Sequence, residues 1–138
     1  LDFIKLSSKN SIKLKNLANN KFINGDEEQL NRVFINLVKN SEESLYELKQ
    51  KDPNFKGNID IEIDDDNDYI IIRIIDNGKG ITDAKKAMTP YFTTKKTGTG
   101  LGLPIVTKII TEHSGKFSIK NHSNKNGTLV TIAIPKYA

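Results

Sequence analysis

An apolar run from Tyr69 to Ile75 ends in Asp76-Asn77-Gly78-Lys79-Gly80, and farther along Gly98-Thr99-Gly100-Leu101-Gly102-Leu103 opens a second apolar stretch. This ordered pair constrains the fold more than any other feature of the chain. The first run has strand character, so its closing aspartate stands at a strand end, where two glycines let the backbone turn tightly. The second cluster leads into helix-like spacing. Glycines at a helix entrance allow several peptide N–H groups to converge on one anion. A carboxylate able to select a base, followed by a glycine-rich entrance able to hold phosphates, points to a nucleotide site.

The rest of the chain supplies the elements that such a site needs. Ser11 to Leu17 alternates apolar and polar residues and reads as a strand, and Lys21 to Asn24 as a short extended piece. A long helix follows Gly25, with Asp26 as its cap and Gln29 as the capping-box partner. Leu30, Val33, Phe34, Leu37, Val38, Leu45 and Leu48 share one broad face at helical spacing, and Asp52-Pro53-Asn54 ends the helix. Strands are expected at Asn58 to Asp64 and Tyr69 to Asp76, joined by an acidic turn. The stretch from Asn77 to Thr99 is expected to be a long loop with a short helix around Asp83 to Ala87, and loops of that length are usually functional or mobile. Leu101 to Glu112 reads as a helix packed on a sheet. Lys116 to Lys120 and Thr128 to Ile134 form a closing hairpin around Asn124-Lys125-Asn126-Gly127. The expected architecture is one α/β (α+β) domain spanning residues 1–138, a two-layer sandwich with helices on one face of a mixed sheet.

Composition removes several classes of function. The net charge is +4, yet lysines are scattered among almost as many carboxylates, with no basic stripe interleaved with aromatics, so nucleic acid is not an expected partner. Cysteine is absent, which excludes disulfides, a thiol nucleophile and a thiolate metal site. No apolar run is long enough to span a bilayer. The chain opens on Leu1 instead of Met, as a piece of a longer protein would.

Further candidate residues lie outside the two glycine clusters. Asn36 and Asn40 emerge on the same side of the long helix at the edge of its apolar stripe, near the line of Glu43 and Glu47. Their carboxamide oxygens suit Mg²⁺, although taken alone they read as a polar flank in an Asn-rich chain. Asp76 can accept from the exocyclic amine of a purine while Gly78 and Gly80 leave room for the ring; Asp-Asn-Gly is also a common strand terminator. The glycine cluster is not a Walker A loop, because no Gly-Lys-Ser/Thr follows, and its spacing is not that of the dinucleotide fingerprint. The run Asp64-Asp65-Asp66-Asn67-Asp68 lacks the Gly and Glu of a calcium loop and reads as a solvated turn. His113 and His122 have no metal partner at ligand spacing.

In this order the motifs resemble the catalytic, ATP-binding domain of bacterial sensor histidine kinases, a superfamily shared with DNA gyrase, the MutL repair proteins and the ninety-kilodalton heat-shock chaperone. Asn36-Leu37-Val38-Lys39-Asn40 looks like the N box and Asp76-Asn77-Gly78-Lys79-Gly80 like the G1 box. Pro90-Tyr91-Phe92-Thr93-Thr94-Lys95 resembles the F box, Gly98 to Leu103 the G2 box, and Gly127-Thr128 the late Gly-Thr. The short loop and the residues after the N box look most like kinases of the NtrB/NtrY type.

The resemblance implies a Bergerat-type fold with an ATP lid between Asn77 and Thr99, and ATP with Mg²⁺ as ligands. Asp76 would take the adenine amino group with Thr128 in support, and Gly78 and Gly80 would frame the base. Asn40 would ligate Mg²⁺ with Asn36 beside it. Thr94, Lys95, Gly98, Thr99, Gly100, Leu101 and Gly102 would surround the phosphates, largely through backbone N–H groups. Glu43 departs from the family, which often has a basic residue there, so phosphate charge is left to Mg²⁺, to the helix entrance and to Lys39 or Lys95. The hydrolytic relatives carry Glu at the position of Asn36; an amide has no basic lone pair to take a proton from water. The implied activity is transfer of the γ-phosphate to a histidine on a separate dimerisation domain, serving a response regulator indirectly. No His-Glu or His-Asp dipeptide opens an amphipathic helix here, so the phosphoacceptor is expected elsewhere and the isolated domain is expected to be monomeric. The implied location is the cytoplasmic part of a membrane-anchored sensor. A serine kinase of the anti-sigma type and a non-catalytic interaction domain are the alternatives.

Overall fold

The computed structural model describes residues 11–16, 27–80, 102–121 and 126–136. In chain order its elements are β1 (Ser11–Asn16), α1 (Glu27–Lys51), β2 (Asn58–Asp65), β3 (Tyr69–Asp76), α2 (Gly102–Glu112), β4 (Lys116–Asn121) and β5 (Thr128–Pro135). They form one five-stranded sheet in the order β1-β2-β3-β5-β4. β1 and β2 run parallel, as two strands joined by a helical crossover can, and the other neighbours are antiparallel. The mixed sheet expected from the sequence is present.

Isoleucine at alternate positions builds the sheet's inner face. Ile59 and Ile61 of β2, Ile70, Ile72 and Ile74 of β3, and Val130, Ile132 and Ile134 of β5 are buried, while their sequence neighbours are only partly covered. β-Branched side chains are stiff and fit a pleated surface, and period-two alternation sends one set to each face. The inner face packs against Leu30, Val33, Phe34, Leu37 and Leu45 of α1 and Val106, Ile109 and Ile110 of α2. Asp60, Glu62, Arg73 and Thr131 lie on the opposite face, which carries no described helix. The apolar stripe read from α1 is therefore its sheet-facing side, with Val38 and Leu48 at the margin.

Element ends follow the local chemistry. The Asp52 carboxylate accepts from the Asn54 amide at 3.0 Å, and Pro53 stops the helix. At the β2–β3 turn, Asp66 Oδ1 accepts from the Asp68 and Tyr69 amides at 2.8 and 2.7 Å, a solvated Asx turn in line with the sequence expectation. His113 closes α2, with Nδ1 at 2.8 Å from the Ile109 carbonyl oxygen, which accounts for it structurally. The chain then turns back through Gly115, where a Cβ would lie 2.6 Å from the Ala133 carbonyl oxygen. The expected piece at Lys21 to Asn24, the Asp26 cap, the short helix at Asp83 to Ala87 and His122 fall outside the described residues.

Candidate nucleotide-binding site

Sheet register brings the candidate base-binding residues together. Asp76, the last residue of β3, pairs with Ile59 on one side and with Thr128 on the other, and Thr128 pairs in turn with Asn121 of β4. One row across four strands thus carries an aspartate, a threonine and an asparagine drawn from separate parts of the sequence. Asp76 and Thr128 are among the few buried polar side chains, at 6% and 8% exposure.

Gly127 permits this register. Its φ is 138°, and a Cβ there would overlap the Asp76 carbonyl oxygen. The late Gly-Thr is one structural unit: the glycine lets β5 press against the end of β3, and the threonine then faces Asp76. Gly80 has φ 80°, and a Cβ on it would stand 2.5 Å from Asn121 Oδ1.

The Asp76 carboxylate is gripped at both oxygens. Oδ2 accepts from the Ser41 hydroxyl at 2.9 Å, and Oδ1 accepts from the Gly78 amide at 2.9 Å. The Lys79 amide donates to Ser44 Oγ at 3.2 Å, and the Lys79 ammonium forms an ion pair with Glu47. Ser41, Ser44 and Glu47 are spaced three apart along α1, so one edge of the helix holds the whole turn after β3. The space left by Gly78 is filled from the protein side: a Cβ there would collide with Ser44 Oγ and lie 2.9 Å from Asp76 Oδ1. Gly78, expected to leave room for the ring, first of all makes room for Ser44.

Asn77 turns away from this cluster. Its Oδ1 accepts from the Asn58 amide at 2.7 Å and its Nδ2 donates to the Lys56 carbonyl at 2.9 Å, tying the turn to the start of β2. Of the motif's five residues, Asp76 is the one whose side chain is buried and held at both carboxylate oxygens.

Asn36 and Asn40 lie on α1, half buried, with Asn40 next to Ser41. Lys39 is exposed. Gly102 is the first residue of α2, as a glycine at a helix entrance should be. Thr94, Lys95, Gly98, Thr99, Gly100 and Leu101 fall outside the described residues. Two half-buried carboxamides are hard oxygen donors of the kind Mg²⁺ takes alongside phosphates. Among the described residues no group of three or more His, Cys, Asp or Glu could hold a metal by itself. The chemistry of the two carboxamide oxygens fits Mg²⁺.

Sequence reasoning does not single out Ser41 and Ser44, although a signal is present. They fall within the apolar stripe of α1 between Leu37 and Leu45, and a polar residue at a core position requires a buried partner. Asn121 carries no such signal, since only the strand pairing brings it beside Gly80.

Residues 25–138 match the family of histidine kinase-, DNA gyrase B- and HSP90-like ATPases. The chain belongs to that family. It is 38% identical over 117 residues to sporulation kinase A of Bacillus subtilis, covering 83% of this chain and 18% of the relative. An NtrY-like sensor histidine kinase of Rickettsia felis is 38% identical over 109 residues, 78% of this chain and 17% of the relative. Among solved structures, the nucleotide-free catalytic domain of the histidine kinase ThkA superposes with a TM-score of 0.73 at 31% identity, covering 91% of this chain and 78% of that one. The fold and the motif order thus agree with the histidine-kinase branch of the family, of the protein histidine kinase (transferase) class. The chain spans less than a fifth of the length of these two curated relatives. No helix among the described residues is long and apolar enough to cross a membrane.

Proposed function

We propose that this chain is the nucleotide-binding catalytic domain of a two-component sensor kinase. It binds Mg-ATP and presents the γ-phosphate to a histidine on a separate dimerisation domain of the parent protein. The observation that carries the reading is the buried Asp76 carboxylate, held at both oxygens at the end of a strand and paired in register with Thr128. A carboxylate fixed in this way accepts from an exocyclic amine and offers nothing to a carbonyl at the same place, which favours adenine.

Each remaining residue has a role within this reading. From α1, Asn40 would ligate Mg²⁺ with Asn36 beside it, and the ion when bound would neutralise phosphate charge. Gly98, Gly100 and Gly102 would supply backbone N–H groups to the phosphates, and Gly102 is the first residue of α2. Lys39, next to Asn40, and Lys95, shortly before Gly98, are the cations assigned to phosphate charge in this reading. Asn36 in place of a glutamate leaves water without a general base, so the domain keeps ATP for its acceptor instead of hydrolysing it. Catalysis is then positioning and charge neutralisation, with the acceptor imidazole as nucleophile.

The test is isothermal titration with a non-hydrolysable ATP analogue, with and without Mg²⁺, beside Asp76→Asn. The expected result is binding that weakens without the metal and is lost in the variant, since an amide N–H would then face the adenine amine. Equal affinity in the variant would overturn the assignment. The isolated chain is expected to bind ATP without labelling itself; radiolabel on His113 or His122 would contradict this.

A further inference from the structure

We infer that Ser41 is a positioning residue for base recognition, orienting the Asp76 carboxylate so that the site distinguishes a purine that carries an exocyclic amine from one that does not. This deepens the proposed function and rests on Asp76 meeting the adenine amine.

Proton counting fixes the direction of the bond. An ionised carboxylate has no proton to give, so in the contact between Ser41 Oγ and Asp76 Oδ2 at 2.9 Å the serine must be the donor. The Gly78 amide, the donor to Oδ1, is likewise fixed. Two donors on the two oxygens set both the χ1 and the χ2 rotation of Asp76, and terminal carboxylate rotation is otherwise broad. Gly78 in turn cannot drift, because the next amide, that of Lys79, is anchored on Ser44 Oγ. The orientation of the recognition group is therefore imposed by α1, from positions thirty-five residues away in the chain.

Burial sharpens the effect. Ser41 is 5% exposed, so water does not readily replace its hydroxyl if it is removed. Among the described residues every buried side-chain nitrogen or oxygen has a partner, and deleting one donor of a charge-assisted bond breaks that satisfaction. A carboxylate that loses the donor on one oxygen can rotate or draw in other donors, and its preference for the amine falls. Packing elsewhere in the site is untouched by the loss of one oxygen atom.

A merely structural serine would affect every nucleotide alike, so selectivity is the decisive readout. The full chain, its Ser41→Ala variant and its Ser41→Thr variant are titrated with a non-hydrolysable ATP analogue and with purine riboside 5′-triphosphate, which is ATP without the 6-amino group. Mg²⁺ is kept constant, and a thermal melt of each protein accompanies the titrations. The expected result is about a tenfold loss of ATP-analogue affinity in Ser41→Ala, with the amine-free nucleotide unchanged and Ser41→Thr close to wild type. An equal loss for both nucleotides, or no loss, overturns the inference while leaving the parent reading intact. A wild type that binds neither nucleotide overturns both. Should Ser41→Ala fail to fold, Ser41→Cys keeps the volume with a much weaker donor, and the same ratio between nucleotides decides.

Discussion

Gly78→Ala, taken together with Ser44→Ala, tests whether α1 clamps the turn after β3. Gly78 is not among the glycines at positive φ, so the effect of a side chain there is steric and not conformational. The added Cβ collides with Ser44 Oγ and meets Ser44 Cβ at 3.1 Å. Relief requires Ser44 to swing aside and give up the Lys79 amide, which costs about 1–2 kcal/mol for a part-buried bond. Overpacking against the rest of the cluster adds about 1–3 kcal/mol, so the single variant should lose roughly 2–5 kcal/mol. Ser44→Ala alone removes the acceptor and should cost about 1–2 kcal/mol. In the double variant the colliding oxygen is gone and its bond is lost only once. Its destabilisation should then fall short of the sum of the singles by about 1–2 kcal/mol. Urea unfolding of the four proteins at neutral pH, with equal m-values, measures the coupling. Additivity to within about 0.5 kcal/mol would refute the clamp and show that Gly78 is needed for some other reason.

Gly127→Ala should be more damaging and not rescuable by any neighbour, because the collision is with the Asp76 carbonyl oxygen and φ is 138°; a loss above about 3 kcal/mol in a denaturant melt is expected, and a loss below about 1 kcal/mol would contradict the close β3–β5 approach. Lys79→Ala should change stability by less than about 1 kcal/mol, since both members of its ion pair with Glu47 are about one-third exposed, and a thermal melt checks this. Asp66 is fully exposed, and its pKa is held below the usual value first by the Asp68 amide and then by the Tyr69 amide. A depressed carboxylate stabilises the fold above its unfolded pKa and ceases to do so as pH falls through its folded value. The stability difference between wild type and Asp66→Asn should therefore be flat at neutral pH and shrink below about pH 4, as read from urea midpoints across pH; a difference that grows on acidification would refute the turn assignment.

Much of this protein is legible from local chemistry alone. Period-two isoleucines define β2, β3 and β5, helical spacing defines α1 and α2, and the breaks at Pro53 and at the Asp64–Asp68 run mark their ends. These signals depend on neighbours within one or two turns, which a single sequence contains in full. Asp76 stands out for the same reason, as a carboxylate at a strand end, whereas Gly127 and Thr128 stand out only through resemblance to the family's late Gly-Thr. Strand order is not legible. The parallel pairing of β1 with β2 and the insertion of β5 between β3 and β4 join segments far apart in the chain, and neither hydrophobic period nor turn residues specify which edges meet. That pairing, not the motif, sets Thr128 and Asn121 in the row of Asp76. Ser41 and Ser44 show the same division. The sequence displays two hydroxyls where the stripe requires apolar side chains. Only the packing of α1 against the turn after β3 makes them the donor and acceptor that hold the site, because a hydrogen bond exists only when folding brings its two ends together.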